Sequence, residues 1–323
     1  MNDIKSVILI LFLQVACTEP VRCQTYDHHV HCLSPELIKS WKSLGIQFSR
    51  PDYMYANVDS ILKFNAARRV TLISMAYVYS SEEYGTGKAN AYDMIKAEND
   101  YVFRWRKINP KRIKAYFGID PLHDSALVEA RRCIKILRMD GMKMHFNASQ
   151  VSLLRQEHLE KVKPLFELAS ATRIPVLLHF DNSRSQFGEP DVRTLVDSIL
   201  LRQRYVNLQI AHFGTSGGFN DRTKKVLDAF LRLYEERPAL KKLNLFFDIS
   251  AVCLTKDSEG VRKLTDAEFD ELANYCRKIG FHRIVFGTDY PLYNANEYKT
   301  ILEAKLWLTS KEKLALYRTK INK

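Results

Sequence analysis

Glycine, proline and cysteine are all scarce in this sequence, with 12 Gly, 10 Pro and 6 Cys among 323 residues. So little glycine and proline excludes a collagen-like or low-complexity chain. The cysteines form no Cys-x-x-Cys pair and lie far apart, which argues against a disulfide scaffold and a zinc–thiolate site. Long apolar runs are also rare: there is one, and this excludes a multi-pass membrane protein. What remains is a chain long enough to bury a large core.

Charge is unbalanced, with 49 Lys and Arg against 37 Asp and Glu, a formal net charge of +12. A nucleic-acid-binding protein usually gathers its cations in one segment or on one face. Here they are spread over most predicted helices, as at Lys224 and Lys225. We therefore interpret the excess as solvated helix surface and expect no specific nucleic-acid partner. The charge is compatible with a small acidic substrate.

The apolar run is SVILILFLQVA at residues 6–16, which is too short to span a bilayer. It follows Lys5 and ends at Ala16, the pattern of a secretory signal. Cys17 then resembles the cleavage site of a bacterial lipoprotein, although Gln14 stands where Leu is usual. We expect residues 1–24 to be a signal peptide or lipoprotein signal with a short linker. The protein would then be periplasmic or anchored to a membrane through Cys17, and cytoplasmic if the run is instead a buried strand or helix.

From residue 25 to residue 323 short apolar runs alternate with amphipathic helices. Helix patterns include the capping box of Thr265 and Glu268. Strands are predicted at 26–31, 70–78, 113–119, 141–146, 175–180, 208–213, 243–250 and 284–289. Such βα units favour a single-domain (β/α)8 TIM barrel, preceded by the signal segment.

In such a barrel the active site lies where the strands end, and this sequence places polar residues there. Asp27, His29 and His31 alternate on the first strand, so we expect them to share one face. The other strand ends carry Lys143, His145, His179, His212, Asp248, Ser250 and Asp289. Imidazoles and a carboxylate around one point are typical ligands of Zn²⁺ and similar divalent metals.

The motifs at these ends resemble those of a known family. They are Asp-x-His-x-His at 27–31, Gly-x-Lys-x-His at 141–145, His179, Ala-His-x-Gly at 211–214 and Gly-Thr-Asp-x-Pro at 287–291. The sequence is similar to the amidohydrolase superfamily, and most of all to its family 2 branch of metal-dependent hydrolases and decarboxylases. The resemblance spans about residues 26–291 and says little about the substrate.

The resemblance implies roles for these residues. The implied ligands of one divalent metal, Zn²⁺ or a similar ion, are His29, His31, His179 and Asp289. Asp289 would also accept a proton from the attacking water. His212 would either support the metal ligands from behind or face the substrate. Lys143 has two implied roles: a cation facing an acidic substrate, or a carbamylated bridge to a second metal. A buried ion pair with Asp248 is a third role for Lys143.

Further candidates lie around the predicted mouth. Arg184 and His145 are candidates for substrate binding, although Arg184 could equally be a plain loop cation. His28 is expected to pack against a helix, and the loop at 79–85 resembles a lid or a pocket loop.

We expect a metal-dependent hydrolase that cleaves a C–O or C–N bond, as in a lactone or amide, of a small molecule. The alternative is a non-oxidative decarboxylase on the same site. A third possibility is a binding protein that has kept the barrel without its chemistry. Barrels of this kind often pair, so a homodimer is also expected.

Overall fold

The computed structural model describes residues 25–81, 91–258 and 260–321. The predicted signal segment, with Cys17, lies outside the described residues, and so do residues 82–85 of the lid loop expected at 79–85.

Eight parallel strands form one sheet in which every strand pairs with the next along the chain. They are β1 (Tyr26–Cys32), β2 (Arg69–Ser74), β3 (Ile113–Ile119), β4 (Gly141–His145), β5 (Val176–His179), β6 (Asn207–Ile210), β7 (Asn244–Asp248) and β8 (Ile284–Val285). A bridge from Val30 to Tyr290 and a hydrogen bond from His28 N–H to the Phe286 carbonyl join the two edges. The predicted single-domain barrel is therefore confirmed.

Helices cover the outside of this barrel. They are α1 (Pro35–Ser43), α2 (Tyr53–Ala56), α3 (Val58–Asn65), α4 (Ala91–Ile108), α5 (Ala126–Lys135), α6 (Gln156–Thr172), α7 (Glu189–Thr194), α8 (Asp221–Glu236), α9 (Asp266–Ile279), α10 (Ala295–Lys305) and α11 (Ser310–Arg318). The predicted capping box begins α9: Glu268 N–H donates to the Thr265 hydroxyl, and Thr265 N–H donates to the Glu268 carboxylate. No helix in the described ranges is long and apolar enough to cross a membrane.

Several strands end earlier than the sequence predicts. β2 stops at Ser74, and Ala76–Ser80 forms a 3-10 turn; β6 stops at Ile210, and Ala211–Gly214 forms another. In the second turn His212 and Phe213 adopt positive φ angles of 51° and 54°. The residues of these turns are buried and apolar, as strand residues are. The strands predicted from composition alone were therefore too long. The turn aims His212 across the mouth of the barrel.

A bulge in β1 also breaks the expected alternation, because its register with β2 shifts between Asp27 and Val30. Asp27 consequently bonds to Asn65 of α3 and to Thr288. His28 stacks on the ring of Tyr26 at 4.0 Å between centroids. The expectation that Asp27 shares a face with His29 is therefore wrong. His28 is 1% exposed, and its packing against a helix stays a prediction.

The main apolar core fills the space between strands and helices. A second, small cluster of Ile73, Tyr116, Leu177 and Ala211 fills part of the barrel interior. All four cysteines in the described residues are buried free thiols, as expected for a chain without a disulfide scaffold. This inner cluster is small, and the rest of the barrel interior, at the carboxyl end of the strands, is lined by polar side chains.

Candidate active site

His29 lies within the bulge of β1 and is completely buried inside the barrel. Its Nδ1–H donates to Oδ2 of Asp248 over 2.9 Å, so the lone pair is on Nε2. That Nε2 is buried and has no hydrogen-bond partner among the described residues, and it lies 3.5 Å from Oδ1 of Asp289. Burial lowers the pKa of His29 to about 4, so the ring is neutral at pH 7. A neutral imidazole with a free nitrogen is what a divalent metal ion requires.

His212 is held in the same way from the turn after β6. Its Nδ1–H donates to the carbonyl oxygen of Ser250 over 2.9 Å, which leaves Nε2 free to bind a ligand. The ring centroid lies 4.8 Å from that of His29. The backbone turn and this hydrogen bond fix the imidazole before any ligand arrives.

Asp289 lies four residues after the end of β8, with a positive φ of 55°. Its Oδ1 accepts a hydrogen bond from Nε2 of His31 over 3.0 Å. Desolvation opposes ionisation of the carboxyl group, but the neighbouring imidazoles of His212 and His31 hold its pKa well below the ordinary value. Asp289 is therefore a carboxylate at neutral pH.

Together these residues form a candidate metal centre. One ligand atom from each of His29, His212 and Asp289 lies within 4.8 Å of the others. In the ranges that the structure describes, this is the one group of three potential ligands so close together. The orphaned Nε2 of His29 and the mixture of imidazole and carboxylate fit a divalent ion.

The structure also places the other two predicted ligands. His31 lies beside the cluster, with its ring centroid 5.1 Å from that of His29, and its buried Nδ1 has no partner among the described residues. His179 lies 5.3 Å from the His212 ring, while its Nε2 shares a hydrogen bond of 3.3 Å with the Ser216 hydroxyl. His212, which was expected to support the ligands or face the substrate, is therefore one of the three clustered residues, whereas His179 lies outside that group.

Lys143 projects into the barrel from β4 and is 1% exposed. Burial lowers the pKa of its ammonium group to about 8, against the opposing effect of the Asp248 and Asp289 carboxylates. No carboxylate oxygen of a described residue lies within 4.0 Å of its Nζ. The suggested direct ion pair with Asp248 is therefore absent, and a buried cation faces the site without a direct counter-ion.

The two candidates for substrate binding differ in position. The His145 ring stacks on His179 at 3.8 Å and lies 5.1 Å from the ring of Tyr77, so it lines the site. Burial holds its pKa well below the ordinary value. Arg184 is exposed on the loop after β5, and its guanidinium donates to the hydroxyl of Ser152. Its position favours the role of a loop cation.

Asp248 is the organising residue that the sequence left undecided. Its Oδ2 accepts from His29 and from Gln209 Nε2, the latter over 2.8 Å. Its Oδ1 accepts the backbone N–H groups of His212 and Ser250, each over 3.1 Å. The alternation of Asp248 and Ser250 on the strand predicted at 243–250 is the signal that pointed to it. Tyr77 gave no signal, because the 3-10 turn that carries it was predicted as strand.

Comparison with known proteins agrees with this geometry. The model of a family described as amidohydrolase matches residues 26–314. No curated protein sequence matches the chain.

Solved structures share the fold at low sequence identity. The 5-carboxyvanillate decarboxylase LigW from Sphingomonas paucimobilis is 13% identical, with a TM-score of 0.59 over 92% of this chain and 97% of that chain. A dihydroxybenzoic acid decarboxylase from Polaromonas sp. JS666 with bound manganese is 13% identical, with a TM-score of 0.57 over 91% and 94%. An amidohydrolase from Burkholderia multivorans with bound zinc is 13% identical, with a TM-score of 0.56 over 91% and 96%.

Proposed function

The chain belongs to the amidohydrolase family, and from that premise we propose that it is a metal-dependent decarboxylase of a small, hydroxylated aromatic acid. The observation that carries the proposal is the buried ammonium group of Lys143, which has no direct counter-ion among the described residues. A buried charge of this kind is costly unless a partner neutralises it, and the carboxylate of a bound substrate would do so.

The residues that would hold the metal are His29, His212 and Asp289, with His31 beside them. A divalent cation there would act as a Lewis acid that polarises a bound oxygen atom. Neighbours in fold carry manganese or zinc, and we propose one ion, Zn²⁺ or a similar metal. A second ion on a carbamylated Lys143 would draw on His179 and His212, yet His212 already belongs to the first group.

Ring contacts support a flat substrate. Tyr77, His145 and His179 lie in a row beside the cluster, and the two imidazoles are stacked with an angle of 11° between their planes. An aromatic acid could extend this row while its carboxylate meets Lys143. Neighbours in fold include enzymes named for the decarboxylation of 5-carboxyvanillate and 2,6-dihydroxybenzoate, which supports this substrate class.

Decarboxylation breaks the bond between the ring carbon and the carboxyl carbon. The electron pair stays on the ring carbon, which must take up a proton as CO₂ leaves. Lys143 still holds its proton at neutral pH because its pKa is about 8, and it faces the site. We assign it to binding the carboxylate and to holding that proton.

Hydrolysis of a lactone or amide is the second candidate. The observation that favours it is the position of the ionised Asp289 carboxylate in the candidate metal centre, where it could accept a proton from water.

The experiment that tests the proposal incubates the metal-loaded full chain with hydroxybenzoic acids, lactones and amides. Decarboxylation predicts CO₂ in equal amount to the acid consumed. If the chain produces acid from a lactone or amide and releases no CO₂ from any hydroxybenzoic acid, the proposed decarboxylase activity is wrong and hydrolysis is the activity.

Lys143→Met keeps the length of the side chain and removes its charge. It should weaken transition-state binding of the carboxylated substrate by about 1.5–3 kcal/mol, the value of a charged hydrogen bond. Lys143→Arg is the matched control that keeps the charge. If Lys143→Met retained full kcat/KM, the carboxylate-binding role would be wrong.

A further inference from the structure

Positive charge converges on the face of the barrel opposite the active site. In a parallel barrel the amino ends of all strands meet on this face. Every loop that enters one of the strands β2 to β8 carries Arg or Lys. Six exposed cations, one from each loop entering β2 to β7, define what we call the basic face: Arg68, Lys111, Arg138, Arg173, Arg204 and Lys241. The loop into β8 adds the half-buried Arg283.

Few carboxylates lie near this charge, although Glu167 lines a surface pocket together with Arg173 and Arg204. The single carboxylate in these loops is Asp140, which pairs with Arg106 over 3.1 Å and accepts from the Ala115 N–H. Within the described ranges none of the six cations has a carboxylate oxygen within 4.0 Å. Cations scattered along the sequence are thus brought to one face by topology, and their fields add.

Two apolar side chains stand among these cations. Ile108 ends α4 and is 72% exposed, and Ile136 follows α5 and is 74% exposed. Ile108 directly precedes the loop into β3, and Ile136 lies in the loop into the adjacent strand β4. Single exposed apolar residues are common, and a surface that binds lipid headgroups combines apolar side chains with cations.

The chain also enters the barrel at this face. Arg68 N–H donates to the carbonyl of Thr25, just before β1, over 3.1 Å. Residues 17–24 are all that separates the apolar run at residues 6–16 from Thr25. A chain of this length reaches roughly 30 Å when fully extended. If a lipid on Cys17 holds the chain at a membrane, the basic face is the side of the barrel nearest to the bilayer.

We propose that the basic face docks on an anionic lipid bilayer and leaves the active-site mouth open on the opposite side. Juxtamembrane cations are attracted by anionic headgroups, and the two isoleucines enter the boundary between headgroups and acyl chains. A nucleic acid, which is also negatively charged, would likewise be attracted to the basic face. However, the exposed isoleucines and the adjoining apolar run favour lipid.

The test measures partitioning of the full chain onto phosphatidylcholine vesicles with and without phosphatidylglycerol. Binding through the apolar run appears on both, whereas the basic face adds a salt-sensitive increment on the anionic vesicles alone. The basic-face variant combines Arg173→Glu, Arg204→Glu and Lys241→Glu. The matched control combines Lys39→Glu, Arg131→Glu and Lys225→Glu, which are exposed cations of the helices and give the same net charge.

We expect the additional partitioning onto anionic vesicles to be at least about tenfold smaller for the basic-face variant than for the wild type. The control variant should differ little from the wild type. Equal losses in both variants would overturn the proposal, because net charge would then explain the binding. Tighter binding of the wild-type chain to duplex DNA than to anionic vesicles at the same salt concentration would also overturn it.

Two further measurements keep the test decisive. If the basic-face variant fails to fold, the wild-type chain still decides, because partitioning that does not change with phosphatidylglycerol or salt contradicts the proposal. Ile108→Ser with Ile136→Ser should weaken binding to anionic vesicles without changing its salt dependence. Val128→Ser, at another exposed apolar position, should leave the binding unchanged.

Discussion

Nδ1 of His29 lies 2.9 Å from Oδ2 of Asp248, although 219 positions separate the two residues in the sequence. The carboxylate fixes the tautomer of His29 and turns its free Nε2 toward Asp289. Pairs of this kind orient imidazoles before metal binding and raise their basicity. The same Asp248 also holds the backbone of His212, so one buried carboxylate positions two of the proposed ligands.

Asp248→Asn should weaken metal binding by about 10- to 100-fold, because the amide can donate to Nδ1 and force the proton onto Nε2 of His29. Competition with a chromophoric chelator measures the dissociation constant directly. Asp257→Asn, an exposed carboxylate in the loop after β7, is the control. Unchanged metal affinity in Asp248→Asn would show that His29 does not need this partner.

Gly287 is predicted to be irreplaceable because of its contact with His29. A Cβ at this position would lie 2.9 Å from Cβ of His29 and 3.2 Å from Cβ of Ser250. Gly287→Ala should therefore cost about 1–3 kcal/mol of the free energy of unfolding and displace His29. Denaturant unfolding and the metal dissociation constant check the two effects.

Gly188→Ala is the matched control for this substitution. A Cβ there meets no atom within 4 Å, and the backbone φ of 170° is open to any residue. If Gly287→Ala and Gly188→Ala changed stability and metal affinity equally, the close approach of Gly287 to His29 would not be the cause.

Glu98 should make stability depend on pH. Burial raises the pKa of this carboxyl group to about 7, against the hydrogen bond from the Ser34 N–H. Between its unfolded pKa of about 4.3 and pH 7 the folded state keeps a proton that the unfolded chain releases. The free energy of unfolding should fall by about 4 kcal/mol as pH rises through this range, and no further above it.

Glu98→Gln keeps the acceptor for Ser34 and cannot ionise, so it should remove this part of the pH dependence and be more stable than wild type at pH 8. Denaturant unfolding at pH 5 and pH 8 provides the comparison, with Glu235→Gln as an exposed control. Parallel pH profiles of wild type and Glu98→Gln would show that Glu98 does not bind its proton more tightly in the folded state.

Much of the barrel was predictable because strands buried on both faces are continuous apolar runs. The strand ends were not, since Tyr77 and Phe213 are as apolar as strand residues and yet lie in 3-10 turns. The bulge in β1 was also hidden. It depends on how Asp27 meets Asn65 and Thr288, which lie far away in the sequence.

For the site, the types and positions of the residues were predictable because chemistry gathers at the strand ends of such barrels. Their partners were not. Nothing in the pattern around Ser250 indicates that its carbonyl group would fix the tautomer of His212. The basic face was likewise invisible, because its cations lie in separate loops and topology alone brings them together.

The most direct test of the account is the metal content of the purified full chain after loading with a divalent ion and removal of the excess. The account predicts about one ion per chain in the wild type, and a strong loss in both His29→Asn and Asp289→Asn when circular dichroism shows that these variants fold. A folded wild-type chain that retains no divalent ion, or variants that retain as much as the wild type, would contradict it.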